Sequence, residues 1–339
     1  DNSPVIVDGF TIIAGTDDGD DHASAAITVV DSKNVTIRNN IITTQDQNHY
    51  SLYGIYVHDS KVAIVNNSID MKGVSNNNTD IQAYNTAIYF DEHVDILIAG
   101  NKIKAGHAEI AGNFDKSVKS WAIRSRYASG KVLIYNNLIL GGSAHNPNYT
   151  LQEGASFVYV EMKETTVEKK SDSFYIYNNT MISTSDSTSY IYGIAIGNLS
   201  GPTISTTPHV ENNVLYMYGD LPQTTTVLVE SGETESTLVH FSSIENNMLS
   251  DFTNTSSKTL YADLYFDGSI FYNQVGDINT IVKNDIYGED TLQNWGNSDL
   301  DASDVFVNLT GSDGDITIMD DNNWQLKATA HRYFRQGGK

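Results

Sequence analysis

Two arginines in the segment AIRSRY are, by type and spacing, the side chains of this chain most suited to chemistry. The chain has five arginines, and Arg124 and Arg126 are the only close pair in its first 300 residues. An arginine base beside a second cation that neutralises a substrate carboxylate is the chemistry of a polysaccharide lyase, whereas a pair of carboxylates would suit glycoside hydrolysis. The residues that could complete such a site are Asp91, Glu92, His93 and Glu161.

The loop GTDDGDDHAS, residues 15 to 24, is the candidate metal site. It concentrates four carboxylates, on Asp17, Asp18, Asp20 and Asp21. Oxygen ligands on a flexible loop that contains glycine suit Ca²⁺, although the spacing is not that of an EF-hand loop. The alternative is a solvated acidic turn that binds no ion. Calcium is thus the one cofactor that the sequence proposes, and the binding function expected below does not require it.

These residues are positioned by repeats of one sequence pattern. An alternating apolar and polar run is interrupted by a polar pair, usually Asn-Asn, and a second alternating run follows, as in VTIRNNIITT at residues 35 to 44. Periods of about 20 to 50 residues that contain short strands predict a stacked solenoid. The second residue of the pair recurs every 27 to 42 residues, at Asn40, Asn67, Asn101, Asn137, Asn179, Asn213, Asn247 and Asn284.

Each polar pair is predicted to be a corner between two strands. Asparagine tolerates the left-handed backbone conformation that β-branched neighbours resist. Stacked corners would lie about 4.8 Å apart, so their side-chain amides could hydrogen-bond along the column as an asparagine ladder. Aliphatic residues at alternate positions, such as Val35, Ile37 and Ile42, should stack in a tubular core. An earlier weak copy, VIVDGFTI, places Asp8 and Gly9 at the two corner positions.

The corner pattern and the stacked aliphatics resemble the right-handed parallel β-helix of pectate-lyase-like and NosD-type repeat proteins. The resemblance covers roughly residues 5 to 290, and the segment 303 to 334 is similar to the closing segment of such proteins. It implies an all-β solenoid of about nine coils, with a β-helix domain over 1–300 and a capping segment over 301–339. The combined NTD, DD, GHG and RIK signature of polygalacturonase-like hydrolases is missing, because neither GHG nor RIK occurs in the chain. Since this fold serves lyases, hydrolases, epimerases, tailspikes and adhesins alike, it does not decide the function.

The composition restricts the partners. The formal charge is −22, which argues against nucleic acid and anionic membranes and favours a neutral, cationic or metal-bridged partner. No apolar run approaches membrane-spanning length, so no transmembrane segment is expected. The chain begins at Asp1 without a signal sequence, which we interpret as a mature form or a fragment. There are no cysteines, and therefore no disulfide or thiolate site.

Outward-facing positions of the predicted sheets are rich in tyrosine. With Ile55 and Val57 inside, one outward column reads Thr28, Tyr56, Tyr89, Arg124, Tyr159, Ala195, Leu228 and Tyr265. The columns of the neighbouring sheet read Leu97, Leu133 and Tyr175, and Val65, Ala99, Tyr135 and Tyr177. An apolar patch of this kind marks a contact surface, and a tyrosine ring can stack on a sugar while its hydroxyl forms hydrogen bonds. The alternative is that loops cover the rings, or that the rings only stack on one another. The predicted ligand-binding residues are Tyr56, Tyr89, Tyr159, Tyr135, Tyr175 and Tyr177.

Insertions between the strand after each corner and the next coil should form long loops along one edge. They are expected at 43–53, 72–85, 105–120, 141–154 and 162–172. Loops stacked on one edge of a solenoid commonly carry recognition. Tyr50, Tyr53, Tyr84 and Tyr149 fall within these insertions.

The expected function is an extracellular or cell-surface adhesin that binds a neutral, insoluble polysaccharide such as cellulose without catalysis. The combination of a β-helix body, long loops and an aromatic face is similar to that of the tāpirins, which are cellulose-binding surface adhesins. One alternative is a β-helix polysaccharide lyase or hydrolase that uses Arg124 and Arg126, although an acidic body would repel polyuronate. The other is a structural stalk, which would have no need of long irregular insertions.

Overall fold

The computed structural model describes residues 3–14, 24–45, 51–76, 83–110, 118–145, 154–162, 173–183, 190–198, 208–217, 225–231, 241–249, 258–265, 268–272, 295–296, 306–308, 312–313 and 322–327. Throughout these segments the chain forms strands and turns and no helix. The strands stack in parallel, which confirms the predicted all-β parallel solenoid. The handedness of the coil stays a prediction.

The strands of successive repeats form three long sheets, in the chain order sheet C, sheet A and sheet B. Sheet A precedes the asparagine corner and comprises β1 (Val5–Asp8), β4 (Val35–Arg38), β7 (Lys61–Val65), β11 (Asp95–Ala99), β15 (Lys131–Tyr135), β19 (Ser173–Tyr177), β22 (His209–Glu211) and β25 (Ser243–Glu245). Sheet B follows the corner and comprises β2 (Thr11–Ala14), β5 (Ile41–Thr44), β8 (Ser68–Asp70), β12 (Lys102–Lys104), β16 (Leu138–Leu140), β20 (Thr180–Ser183), β23 (Val214–Met217), β26 (Met248–Leu249) and β29 (Trp295–Gly296).

Sheet C contains the longest strands and lies next to the predicted insertions. It comprises β3 (Ser24–Val30), β6 (Ser51–His58), β10 (Ala83–His93), β14 (Val118–Ser129), β18 (Gly154–Met162), β21 (Tyr190–Asn198), β24 (Thr225–Ser231), β27 (Lys258–Tyr265) and, antiparallel to β27, β28 (Gly268–Tyr272). A short sheet D pairs β9 (Gly73–Asn76), β13 (His107–Ile110) and β17 (Ser143–His145). Several residues expected in loops are therefore in strands, because sheet C extends into the insertions and sheet D forms within them.

The expected number of about nine coils is corrected to about four regular turns. Later repeats still add strands to the sheets, but β25 has three residues and β26 only two. The stretches between those strands lie mostly outside the described residues. The physical reason is that the later repeats carry shorter alternating apolar runs, as in SSIENNML, and a shorter run supports a shorter strand.

The core is the predicted column of stacked aliphatic side chains. One row of sheet A places an isoleucine in register in each successive strand, and all of them are fully buried, at Ile37, Ile64, Ile98, Ile134 and Ile176. Sheet B adds a second row that includes Ile42, Ile69 and Ile103. Each buried isoleucine contributes about 1.5–3 kcal/mol of hydrophobic free energy, so these rows hold the sheets together.

The two asparagines of a corner have different roles. The first residue of the pair takes the left-handed conformation, with φ of 54° at Asn39, 56° at Asn66 and 55° at Asn136, and Gly100 fills this place in one coil with φ of 67°. The second residue is the buried one that forms the ladder. The corner predicted at Asp8 and Gly9 in the first coil was wrong by one residue. Asp8 pairs with Arg38, so the corner consists of Gly9 followed by Phe10.

The ladder itself is confirmed. Asn137 shows the pattern: its Nδ2 donates to Oδ1 of Asn179 at 2.9 Å, and its Oδ1 accepts from both the backbone and side-chain nitrogens of Asn101 at 3.0 Å. Its Nδ2 also donates to the carbonyl oxygens of Ile98 and Tyr135. The same side-chain link joins each neighbouring pair along the column Asn40, Asn67, Asn101, Asn137, Asn179, Asn213 and Asn247. Asn284 lies outside the described residues.

The two ends of the solenoid differ. At the first coil, Phe10 stands in the ladder column and is 59% exposed. At the other end, β30 (Phe306–Asn308) and β31 (Asn323–Leu326) form an antiparallel pair, and buried Phe306 contacts Tyr216 of β23 edge-on at 5.4 Å between ring centres. This pair lies in the segment expected to cap the solenoid, while the domain boundary at residue 300 stays a prediction.

Candidate functional site

The tyrosine column of sheet C is largely as predicted. Thr28, Tyr56, Tyr89, Arg124, Tyr159 and Ala195 are in register on successive strands. The column then continues through Val229 and Ala262, so the assignment of Leu228 and Tyr265 to it was wrong. Leu228 is in register with Ile194 and fully buried in the core. The error arose because Val227, Leu228 and Val229 are all apolar and buried, which leaves no alternation to read.

The rings of this column pack on one another. Tyr56 and Tyr89 are stacked with ring centres 5.4 Å apart and planes 6° apart, and Tyr53 lies against both at 5.8 and 5.0 Å. Tyr56 is partly exposed, but Tyr89 is only 5% exposed and offers no open ring face to a ligand. The backbone of Tyr159 is in register beside Arg124, and its side chain lies outside the described residues.

Arg124 lies over the rings of this column. Its guanidinium carbon is 4.4 Å from the ring centre of Trp121, 5.4 Å from that of Tyr89 and 5.8 Å from that of Tyr84. The ammonium nitrogen of Lys119 lies 5.7 Å from the centre of Trp121 and 5.9 Å from that of Tyr84. A cation over an aromatic face is attracted by the ring quadrupole, so β14 holds two cations above an aromatic layer.

Sequence reasoning did not assign Tyr53, Tyr84 or Trp121 to this cluster. In sheet C the alternation of buried and outward residues is interrupted where successive residues are buried, as at Ala87 and Ile88. A count of two from Ile55 therefore misses the outward positions on the other side of this interruption. The signal that could have found them is aromatic enrichment in the segments just before the predicted strands.

A histidine and an aspartate next to the cluster form an ion pair. Nδ1 of His58 lies 2.7 Å from Oδ1 of Asp91, and the hydroxyl of Tyr56 lies 3.5 Å from Oδ2 of the same carboxylate. The hydrogen bond to Asp91 raises the pKa of His58. Burial, followed by the charge of Asp91, raises the pKa of Tyr56 to about 12, and burial also raises the pKa of Tyr89. Both phenols are therefore neutral at pH 7, which makes them poor bases.

The structure brings some of the proposed catalytic residues together. Arg126 is exposed, and its register neighbours are Asp91 on one side and Glu161 on the other. Glu92 is exposed, with a left-handed φ of 61°. The side chains of His93 and Glu161 lie outside the described residues. Arg124, Arg126 and Asp91 are thus on adjacent strands of one sheet, and a catalytic role for them stays a prediction.

A second aromatic surface lies on sheet A, and we call it the sheet A platform. It consists of two outward columns in register, Leu97, Leu133, Tyr175 and His209, and Ala99, Tyr135, Tyr177 and Glu211. Tyr135 and Tyr177 stack with ring centres 4.9 Å apart and planes 14° apart, and Tyr175 stacks on His209 at 4.4 Å and 18°. All four rings are partly exposed, so the alternation placed these side chains correctly on the outward side of sheet A, and ligand binding there stays a prediction.

The stacked rings of the platform lean toward solvent. Ring planes in contact are about 3.5 Å apart, so centres 4.9 Å apart require an offset and a tilt of roughly 45°. Each ring therefore presents part of one face, an edge and a polar group. At the lower end, Nδ1 of His209 and Oε1 of Glu211 each lie within hydrogen-bonding distance of the Ser243 hydroxyl, at 2.8 and 2.7 Å. Hydrogen bonding from His209 is the main cause that lowers the pKa of Glu211.

The proposed calcium site cannot be placed on this fold. Asp17, Asp18, Asp20 and Asp21 all lie outside the described residues. Among the residues that are described, no three His, Asp or Glu side chains are grouped as metal ligands. Calcium at the acidic loop stays a prediction.

Comparison with known proteins gives no relative. No protein-family model matches this chain, and no curated protein or solved structure is significantly similar to it. The structure shows a parallel β-solenoid. No family match supports membership of the pectate-lyase-like, NosD-type or tāpirin groups. In the described part of the chain, no helix has the length and hydropathy needed to cross a bilayer.

Proposed function

We propose that this protein is a non-catalytic adhesin of the cell surface or extracellular space that binds a neutral, insoluble polysaccharide such as cellulose on the sheet A platform. The observation that supports this is the set of four partly exposed rings, Tyr135, Tyr177, Tyr175 and His209, in two adjacent columns of one flat sheet. An outward sheet face normally carries polar side chains, and a contiguous apolar one marks a contact surface.

The geometry of the platform suits a sugar chain. Its columns repeat at the strand spacing of about 4.8 Å, which approaches the residue repeat of an extended β-linked glucan. Partly exposed tyrosines can offer part of a ring face to the C–H face of a sugar and a hydroxyl to its oxygens. Leu97 and Leu133 extend the apolar strip beyond the rings.

Charge supports a neutral ligand. The chain carries a formal charge of −22, whereas in its central part the platform has only His209 and Glu211 as ionisable groups other than tyrosine. An anionic polymer would meet the repulsion of the body, and the outward cations of sheet A, Arg38, Lys61 and Lys131, lie outside the rows of stacked rings. A neutral glucan would not meet this repulsion.

Retention on insoluble polysaccharide tests the proposal. The double variant Tyr135→Ser/Tyr177→Ser removes one stacked pair, and at about 1 kcal/mol for each ring contact the dissociation constant should rise about 30-fold. The measurement is depletion of the purified chain by cellulose, xylan and chitin particles. Tyr56→Ser is the matched control, because it also removes a partly exposed, stacked tyrosine, but from sheet C. Equal retention of all three proteins on cellulose would refute the platform as the binding surface.

A polysaccharide lyase or hydrolase is the second candidate, and it is favoured by the Arg124, Arg126 and Asp91 cluster of sheet C. The same preparations are incubated with pectin and alginate, with Ca²⁺ and with chelator, and assayed for unsaturated product and for reducing ends. If the wild type forms product and the Arg124→Ala variant does not, the protein is an enzyme and the adhesin proposal is wrong. If product formation also requires Ca²⁺, the acidic loop is supported as a metal site.

A further inference from the structure

Two neighbouring strands of the sheet A platform end in a tyrosine that is followed by an exposed asparagine. Asn136 directly follows Tyr135, and Asn178 directly follows Tyr177, at the first position of the corner. Because β15 and β19 pair in register, the two asparagines lie on neighbouring coils, at the strand spacing of about 4.8 Å. They form a polar border beside the stacked tyrosines, and we call their side chains the corner amides.

The corner amides make no hydrogen bond to the described part of the chain, unlike other asparagines at the same position. Asn39 donates to Oδ1 of Asp8 at 2.8 Å, and Asn246 donates to Oδ1 of Asn212. The side chains of Asn136 and Asn178 have no such partner among the described residues. An amide has two N–H donors and one oxygen acceptor, so both corner amides can bond to a ligand without breaking a contact described within the protein.

The corner itself does not require an amide at this position. The backbone is left-handed, with φ of 55° at both Asn136 and Asn178, and each is followed by a buried ladder asparagine. Gly100 takes the same place in another coil with φ of 67° and no side chain. The corner therefore needs a residue that tolerates this conformation, and the amide is free for another role.

An uncharged amide beside an aromatic ring complements a neutral sugar. The ring contacts the C–H face of the sugar, while the hydroxyl groups project around the rim of the sugar ring. A hydroxyl that leaves water without gaining a new hydrogen bond weakens binding, so polar groups at the border of the rings are needed. One amide can donate to a hydroxyl and accept from the hydroxyl on the adjacent carbon.

We propose that Asn136 and Asn178 bind pairs of adjacent hydroxyls on the sugar residues that stack on Tyr135 and Tyr177. In each pair, Nδ2 of the asparagine donates to one hydroxyl oxygen, and Oδ1 accepts from the neighbouring hydroxyl. Because the rings and the amides both follow the column from coil to coil, the sugar chain runs across the strands, along the axis of the solenoid. This inference rests on the proposed function and adds to it a direction for the chain and a requirement for free hydroxyls.

Depletion isotherms on cellulose and chitin particles test the inference, because an acetamido group replaces one hydroxyl of each adjacent pair in chitin. The variant Asn136→Gly/Asn178→Gly keeps the left-handed backbone and removes both amides. We expect it to weaken binding to cellulose about tenfold, and binding to chitin by less than about threefold. Its melting temperature should equal that of the wild type, since glycine already occupies this position at Gly100.

Asn66→Gly is the matched control for the loss of an amide. Asn66 is exposed, has φ of 56° and likewise has no side-chain hydrogen bond within the described residues. It follows Val65 and not a tyrosine, so this variant should bind cellulose as the wild type does. If the double glycine variant fails to fold, Asn136→Asp/Asn178→Asp decides the question. Aspartate tolerates the left-handed conformation but lacks the N–H donors, so binding to cellulose should again weaken.

The outcomes separate this inference from the proposed function. If Tyr135→Ser/Tyr177→Ser loses binding to cellulose and the asparagine variants keep it, the corner amides have no role and the platform remains the binding surface. Equal losses on cellulose and chitin would reject the hydroxyl pair as the ligand, and an equal loss in Asn66→Gly would reject a specific site beside the rings. A wild-type protein that neither particle retains would overturn the proposed function and this inference with it.

Discussion

Replacing Asn137 by alanine is the most direct test of what holds the coils in register. Asn137 is fully buried, and its side chain makes five hydrogen bonds: three donated to Ile98, Tyr135 and Asn179, and two accepted from Asn101. Alanine leaves the backbone N–H of Asn101 without its acceptor and removes the amide donor from two carbonyls. The orphaned N–H of Asn101 costs about 1–3 kcal/mol and each of the two carbonyl bonds about 1 kcal/mol, while Nδ2 of Asn101 and Oδ1 of Asn179 keep other partners, so the free energy of unfolding should fall by about 3–5 kcal/mol.

Asn40→Ala is the matched comparison for Asn137→Ala. Asn40 accepts from the backbone N–H of Phe10 at 2.9 Å in the first coil. Phe10 is 59% exposed, so water can replace that acceptor and the expected cost is only about 1–2 kcal/mol. Asn136→Gly is the neutral control, because Asn136 has the left-handed φ of 55° that glycine adopts freely.

Urea denaturation followed by circular dichroism gives the stability of each variant, and amide hydrogen exchange gives a local measure. Solenoids can unfold in parts, so the exchange rate at the Asn101 amide is the sharper measurement, and a local loss of about 3 kcal/mol would raise it about 100-fold. The reasoning is refuted if Asn137→Ala and Asn40→Ala cost the same, or if Asn137→Ala costs less than about 1 kcal/mol. The ladder would then be a consequence of stacking with no share in stability.

Two further predictions concern single residues. His58 has a pKa raised by Asp91, so its contribution to stability is fully present below the unfolded pKa of about 6.5 and is lost as the pH rises through the folded pKa. NMR titration should place that pKa above 6.5 in the wild type and near it in Asp91→Asn; an unchanged value would refute the pair. Gly100→Ala should destabilise by more than about 2 kcal/mol, because φ is 67° and the added Cβ would lie 2.3 Å from Oδ1 of Asn66. A melting temperature equal to that of the wild type would contradict this prediction, because the corner would then have rearranged to accommodate the added Cβ.

The ladder and the core rows could be predicted because they repeat in the sequence. A side chain that recurs in every coil must occupy the same place in every coil, so one explanation of Asn40 also covers Asn137. The different roles of the two asparagines in each pair could not be predicted in the same way. Only the backbone distinguishes Asn136, which has the left-handed conformation, from Asn137, which forms the ladder bonds. Gly9 and Gly100, which take the first position in two coils, are the sequence signals of that difference.

The candidate sites could be predicted only in part, because they depend on contacts between coils that do not repeat. Tyr56 and Tyr89 were placed correctly in one column. The burial of Tyr89 depends on neighbours from other strands, among them Arg124 of the next coil, and nothing in the spacing of tyrosines contains that information. The columns of sheet A were predictable because buried and outward residues alternate there without interruption. Tyr135 and Tyr177 therefore fall at the same outward position of neighbouring strands.

The same ladder that stabilises the coils also explains why this solenoid can hold two different surfaces. It fixes the register of sheet A through the adjoining corner, so every outward column of that sheet is straight, and rings in adjacent coils must meet. Sheet C is joined to the corner only through sheet A on one side and through insertions of varied length on the other. Its strands are longer, and Trp121 and Tyr89 are buried on it with Arg124 over both rings. The uniform corner therefore gives sheet A a regular outward surface, while the varied insertions give sheet C one whose side chains differ from coil to coil.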